Sequence, residues 1–418
     1  MEMKISDNLI VLAKEMNTPL YIVGGFVRDY FLNYHTDDID ICSALPTEEM
    51  TKLCKKLKFK VNTVNKRLGT LLINPNKDEY FEYTPFRVEN YTKGHSPDAV
   101  EFVDDINLDV KRRDFTINSI YINVLTKEIF DPYNGQNDIK KQQVKCIETP
   151  KVVFSSDGLR ILRLVRLSST LGFKIDRSTL KTAKDMTIML RDISGERKKK
   201  ELDQLVVAEK KHGLKENNFI KHFNSLNIYK YLFLLPLDKY KIKINKDYYN
   251  FFKLSEEYRF VGFMVLFLLN KYNFNYMPDQ QAVFDIQNIM GNVLRCSNGE
   301  VKNTIFAFRV LQDLKYKQLN PFIARNYHNL TESEKKVVNA YVDVKPVSMM
   351  ILNLHNQGIP LTKKQLKLTA QEIGEMVGEK YISRVQDVLM EGCLLGQIKN
   401  DSDSLKEFIT SQILNKNK

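Results

Sequence analysis

Residues 22–41 read IVGGFVRDYFLNYHTDDIDI. An apolar run closes on Gly24 and Gly25, Arg28 and Asp29 follow, and after a polar break Asp37, Asp38 and Asp40 stand against Ile39 and Ile41. In a strand, alternate side chains share a face, so Asp38 and Asp40 project to one side and the two isoleucines to the other. Carboxylates set that close repel and raise a pKa unless a cation lies between them. Few, hard oxygen ligands are what Mg²⁺ takes when it also holds phosphates and water, and Mn²⁺ suits the same donors. An Asp-x-Asp on its own is commonplace as a solvated strand end. Gly24 and Gly25, between a strand and a helix start, add backbone N–H groups that favour an anionic oxygen, and Arg28 adds charge. Taken singly, the glycine pair fits a tight turn equally well. Glu82, in YFEYTPFR, is a candidate third acid: borne on a neighbouring strand, it would complete a two-metal site.

The 418 residues carry 63 Lys+Arg against 51 Asp+Glu, a net +12 that favours polyanionic partners without naming one. A hydrophobic content of 43% argues for folded domains and against disorder. The five cysteines (Cys42, Cys54, Cys146, Cys296, Cys393) form no CxxC, which excludes a zinc module or disulfide framework and predicts reduced thiols in a cytoplasm. No apolar run has the length of a membrane span and the N-terminus lacks an apolar leader, so no membrane partner is expected.

Strand-like runs, LYIVGG, DIDIC, LGTLLIN, YFEYTPF and INSIYIN, alternate with helical patterns at Ile5–Met16, Val27–Leu32 and Thr47–Leu57 as far as residue 142 or so. Beyond DPYNGQNDI (131–139) helical periodicity dominates, with helices expected in GLRILRLVRLSSTLGF, ERKKKELDQLVVAE, EEYRFVGFMVLFLLNKY, 331–342 and 363–378. The fold class is α+β: a head with a mixed sheet and helices (1–142), then an all-α neck (143–210), body (211–300) and tail (301–418). Asp157 and Arg160, three residues apart, suggest a rigid pair one helical turn apart.

GGFVRDYFLNYHTDDIDI, DVKRRDFTINSIYIN, DPYNGQNDI, SDGLRILRLVRLSSTLGF and SGERKKKEL occur in that order over residues 20–205. Together they resemble the class II tRNA nucleotidyltransferase and poly(A) polymerase family of the DNA polymerase β-like superfamily. The resemblance implies that Asp38 and Asp40 bind the catalytic Mg²⁺ ions. It implies that Gly24, Gly25 and Arg28 meet the nucleotide phosphates, that Arg113 contacts the triphosphate, and that Asp114 and Asn118 lie near the ribose. The family's base-reading Glu-Asp-x-x-Arg stands here as Ser156-Asp157-Gly158-Leu159-Arg160, with Arg163 and Arg166 lining the same pocket. An Asp/Arg pair offers an acceptor and donors that suit the edge of cytosine or adenine. Ser156 replaces an acid, Gly158 replaces a residue usually Pro or Ala at a cost of up to about 1 kcal/mol within a helix, Asn33-Tyr34 replaces a Gly-Arg, and His95 stands where Arg is common.

The resemblance implies CTP, ATP and tRNA as substrates and template-independent addition of C and A to the tRNA 3′ end. PLTKKQLKLTAQEIGE and ISRVQDVLMEGCLLGQIKND resemble the C-terminal segment of bacterial CCA-adding enzymes, which favours tRNA over a poly(A) tail. Enzymes adding only CC or only A, a poly(A) polymerase and a non-catalytic RNA binder of the same fold stay open. Lys198, Lys199 and Lys200 are either a phosphate-contacting cluster or a solvated helix face. Oligomeric state is not legible.

Overall fold

A computed structural model describes residues 5–91, 99–214, 218–236, 240–272, 275–276 and 279–414. His95 lies outside them. The chain divides into two compact units, residues 1–241 and 242–418.

The first unit opens with α1 (Asp7–Lys14), β1 (Tyr21–Val23), α2 (Gly25–Phe31), β2 (Ile39–Ser43), α3 (Thr47–Lys56), β3 (Lys60–Asn65), β4 (Thr70–Asn74) and β5 (Phe81–Pro85). A hairpin of β6 (Arg87–Asn90) and β7 (Ala99–Phe102) follows, then α4 (Ile106–Lys111), β8 (Tyr121–Asn123), β9 (Ile129–Phe130) and α5 (Gly135–Lys140). The main sheet runs β3-β4-β5-β2-β1-β8-β9. Its β2–β5 pair is parallel and its other pairs are antiparallel, the mixed sheet expected. Alternation decides the faces: Phe81 and Tyr83 are fully buried, and Glu82 between them is exposed. INSIYIN is strand only from Tyr121. Its first two residues, Ile117 and Asn118, belong to a 3₁₀ turn, Thr116–Asn118, locked against α5, where the backbone approaches so closely that a Cβ on Gly135 would lie 2.3 Å from the Thr116 carbonyl oxygen. Asp138 seals this contact by accepting from the Thr116 hydroxyl at 2.7 Å.

A two-residue pairing of β10 (Gln143–Val144) with β11 (Lys174–Ile175) brackets α6 (Pro150–Ser156) and α7 (Arg160–Leu171). Then come α8 (Arg177–Asp185), α9 (Gly195–Leu205), α10 (Phe219–Leu226) and α11 (Ile228–Leu232). Gly172 ends α7 in the left-handed region at φ 70°, the stop the sequence expects. The Asp157–Arg160 pair is different. α6 stops at Ser156, Asp157 is extended at φ −150°, and the two residues flank a break between helices, joined by a tight turn in which the Arg160 N–H donates to the Asp157 carbonyl, instead of sharing one helix. Gly158 sits in that break, so it carries no mid-helix penalty. A Cβ there would lie 2.6 Å from the Met189 carbonyl oxygen, which makes glycine a requirement of packing.

The second unit is helical: α12 (Lys246–Phe252), α13 (Glu256–Lys271), α14 (Asp279–Ile286), α15 (Asn298–Tyr316), α16 (Pro321–His328), α17 (Glu332–Tyr341), α18 (Lys345–Asn356), α19 (Ala370–Val377), α20 (Ile382–Leu394) and α21 (Ser402–Phe408). The helix expected over 363–378 is two pieces, a 3₁₀ turn at Lys363–Gln365 and α19. A capping box of Thr369 and Glu372 starts α19 afresh, while Leu366 and Leu368 drop from the intervening extended backbone into a core with Ile373, Leu389 and Leu405. The cysteines carry no disulfide, and all are buried except the half-buried Cys296. Among the described residues no helix is long and apolar enough to cross a membrane.

Candidate active site

The parallel register of β2 on β5 sets Asp40 directly beside Glu82, and Asp38, two residues before Asp40, shares their face. Three carboxylates thus gather at the middle strands of the sheet, and among the described residues none of them is within ion-pair distance of a cation. Burial, then Asp38 and then Glu82 push the Asp40 carboxyl up to about 7, with Arg113 and Arg163 pulling the other way. Glu82 is also raised, by burial first and Asp38 next. The backbone makes room for this cluster at Gly24. Its φ of 79° is left-handed, and a Cβ there would lie 2.9 Å from the Asp40 Oδ2. Among the described residues no three His, Cys, Asp or Glu close into a self-sufficient metal cage. Paired carboxylates such as Asp38 and Asp40 are hard oxygen donors of the kind that suit a divalent cation taking its remaining ligands from phosphate and water.

Cations line the same region, each held by a specific acceptor. Arg28, on α2, donates from Nε and Nη2 to the Asp29 Oδ1 at 2.8 and 2.6 Å, and from Nη1 to the Asn118 Oδ1 at 2.7 Å. The brace of Asp138 and Gly135 behind the 116–118 turn is what brings Asn118 to α2. Arg113 donates to the Tyr121 hydroxyl at 2.6 Å and lies 3.3 Å from the Asp109 Oδ2. Burial opposes the Arg113 charge, but Tyr121 and Asp109 outweigh it and hold its pKa above the ordinary value.

Asp109 escaped the reading of the sequence. It is fully buried and accepts from the Arg87 backbone N–H, Arg112 Nε, Arg113 Nη2 and the Tyr121 hydroxyl. Burial raises its pKa, but Arg112, Arg113 and these hydrogen bonds bring it down to about 2. An acid four residues before Arg113, a spacing that one helical turn would bring together, was the available clue.

The residues after the head are anchored rather than free. Asp114 is buried and takes Arg163 at 2.6 Å, so α7 is tied to the segment that follows α4. Arg166 pairs with Glu201 on α9 at 2.8 Å. Asp157 pairs with Arg197 at 2.6 Å and not with Arg160, and its other oxygen caps the Leu159 N–H. Arg160 donates to the Ser156 Oγ, the Val153 carbonyl and the Arg112 carbonyl, with its guanidinium 5.8 Å from the centre of the Tyr91 ring. Ser156 thus supplies a neutral acceptor where the family pattern has a charged one. Lys198 is neither solvated nor available: it is 1% exposed and donates to the Arg191 carbonyl, and burial lowers its pKa to about 8. Lys199 pairs with Asp203, and only Lys200 is left exposed.

Residues 20–145 match the poly(A) polymerase head domain. The matched residues are the head alone, less than a third of the chain. A relative named CCA-adding enzyme from Streptococcus pneumoniae serotype 19F is 36% identical over 196 residues, and the match spans about half of either chain, 47% of this one and 48% of the relative. Another CCA-adding enzyme, from Staphylococcus saprophyticus, is 28% identical over 411 residues, 94% of each chain. The fold is shared with the Bacillus stearothermophilus CCA-adding enzyme in complex with CTP (TM-score 0.67, 20% identity, covering 98% of this chain and 97% of that one). It is shared too with the Thermotoga maritima CCA-adding enzyme complexed with tRNA (TM-score 0.62, 19% identity, 97% and 96%).

Proposed function

We propose that this chain adds CMP and AMP to the 3′ end of tRNA from CTP and ATP without a template, releasing pyrophosphate. The observation that carries this reading is the register of Asp40 on Glu82, beside Asp38 and faced by Arg113 and Arg163. The CCA-adding relatives that align over nearly the whole chain support the substrates.

A divalent cation, Mg²⁺ or Mn²⁺, held by Asp38 and Asp40 with Glu82 adjacent would lower the pKa of the RNA 3′-hydroxyl and neutralise charge on the phosphates. Arg28 and the Gly24–Gly25 backbone hold the nucleotide phosphates, and Arg113, aimed by Asp109 and Tyr121, stabilises the departing pyrophosphate. Asp114 and Asn118 border the ribose, and as anchors of Arg163 and Arg28 they keep the phosphate side aligned with the base side. Asp157 and Arg160 offer the base edge an acceptor and donors, with Arg163 and Arg166 beside them. They read it as two separately anchored groups, Asp157 held by Arg197 and Arg160 by Ser156 and backbone carbonyls. In the scheme of head, neck, body and tail, residues 301–418 grip tRNA through backbone phosphates.

The test incubates the protein and Mg²⁺ with tRNA transcripts ending before the CCA, after C and after CC, each with CTP, ATP or both, and resolves products at single-nucleotide length. Stepwise completion to CCA that then stops is the expected result. Addition of only A or only C would assign a specialised member of the family, long A tails a poly(A) polymerase, and no incorporation a binding protein.

A further inference from the structure

Behind Arg28 the structure holds a contact that the chemistry above does not use. The 3₁₀ turn Ala208–Lys210 runs into Lys211, His212 and Gly213, and closes when the Gly213 N–H donates to the Lys210 carbonyl and the Leu214 N–H to that of Glu209. Gly213, at φ 64°, permits this reversal, and the reversal presents His212 to the end of α2. There the imidazole stacks on Tyr34, with ring centroids 3.9 Å apart and planes 11° from parallel. Tyr34 is itself fixed, its N–H donating to the Asp29 carbonyl at 2.9 Å. It is one of the two residues, Asn33 and Tyr34, that stand where the family pattern has Gly-Arg.

The stack covers a carboxylate. Asp29 is fully buried, and its Oδ1 accepts from the Arg28 Nε and Nη2. The His212 side chain is 3% exposed and its Nε2 lies 4.0 Å from that same oxygen, too far for a hydrogen bond. Lys211, half-exposed, stands 3.6 Å from the Asp29 Oδ2. His212 Nε2 and Asp29 Oδ2 both lack hydrogen-bond partners within the described structure, so the imidazole acts on Asp29 as a cover rather than as a bonded partner. An ion pair kept from water is stronger and more directional than one that water shares.

We propose that His212 is a positioning residue for nucleotide binding: stacked on Tyr34, it excludes water from Asp29 and so keeps the Arg28 guanidinium aimed at the nucleotide phosphates. The proposal rests on the assignment of Arg28 to those phosphates. It also gives the segment just after the neck a direct hold on the phosphate side of the site, from residues that carry none of the family motifs.

The test is a double-mutant cycle of His212→Ala and Arg28→Ala, read as KM and kcat for CTP and for ATP on matched tRNA transcripts. His212→Ala should raise both nucleotide KM values by about five- to tenfold, leave kcat within about twofold and leave the KM for tRNA unchanged. His212→Phe, which keeps the ring on Tyr34, should restore most of the loss. In the Arg28→Ala background, His212→Ala should have no further effect, because it acts through Arg28. Where alanine is not tolerated, His212→Leu, which fills the volume without a planar ring, carries the same cycle. Additive effects of the two changes, or a fall in kcat at constant KM, would overturn the proposal while leaving the phosphate assignment intact. Unchanged nucleotide KM in Arg28→Ala would instead overturn the assignment.

Discussion

Asp40 and Asp109 are both carboxylates in the head, and their surroundings push them in opposite directions. Asp40, raised to about 7 by burial and by Asp38 and Glu82, is a destabilising charge in the metal-free fold. Its folded pKa lies above the unfolded value, so stability should fall as pH rises from about 4 and level off above about 7. Asp40→Asn should abolish that slope and, with chelator present, raise stability at pH 7.5 by roughly 2 kcal/mol while ending nucleotide addition. Denaturant melts at pH 4.5 and 7.5 check it; an unchanged slope would remove Asp40 from the cluster. Adding Mg²⁺ should stabilise the wild type and not Asp40→Asn. Asp109 runs the other way. Its pKa of about 2 contributes stability that is fully present above about 4 and is lost as pH falls from there toward 2. Asp109→Asn should cost about 2 kcal/mol at pH 7 and raise the nucleotide KM, because Arg112 and Arg113 lose the charge that aims them.

At the scale of elements, the break between α6 and α7 separates Asp157 from Arg160 and gives each its own anchor. Gly158 permits the break to pack on the 3₁₀ turn at Thr187–Asp192. Gly158→Ala should therefore destabilise the protein by about 1–3 kcal/mol, where a mid-helix glycine would have gained from the change. Circular dichroism melts decide the sign. The elements that sequence placed well are those with local causes. Gly172 ends α7 by its positive φ, Thr331 caps α17 in a box with Glu334, and the alternation of Phe81, Glu82 and Tyr83 marks a half-buried strand. The misplaced ones have distant causes. The run 363–378 has helical composition, but Leu366 and Leu368 are drawn into a core made by helices that follow it in the chain. Lys198 sits in a run of three lysines that looks solvated, and only the packing of α9 buries it.

At the scale of the whole chain, a net charge of +12 bears on the polyanion and less on the nucleotide. Raising KCl from about 50 to 300 mM should raise the KM for tRNA by about tenfold or more and the nucleotide KM by much less. A nucleotide KM that rises in parallel would place the salt effect in the head. The two units have separate cores, and the carboxylates, the arginines and the Asp157 region all belong to residues 1–241.

The amino-acid sequence by itself determined what local chemistry can dictate. It placed Asp38 and Asp40 on one face of a strand, a turn at Gly24, an α+β head followed by helices, and ordered motifs specific enough to indicate the family. Tertiary structure alone decided who partners whom. Asp40 meets Glu82 because β2 pairs in parallel with β5 across forty residues of chain, and Asp157 turns to Arg197 forty residues downstream instead of to Arg160 nearby. Likewise Asp109 gathers Arg87, Arg112, Arg113 and Tyr121, and His212 covers Asp29. Spacing along the chain constrains only neighbours on one strand or one helical turn, whereas these contacts follow from register and helix packing, which the sequence specifies collectively and no single motif displays.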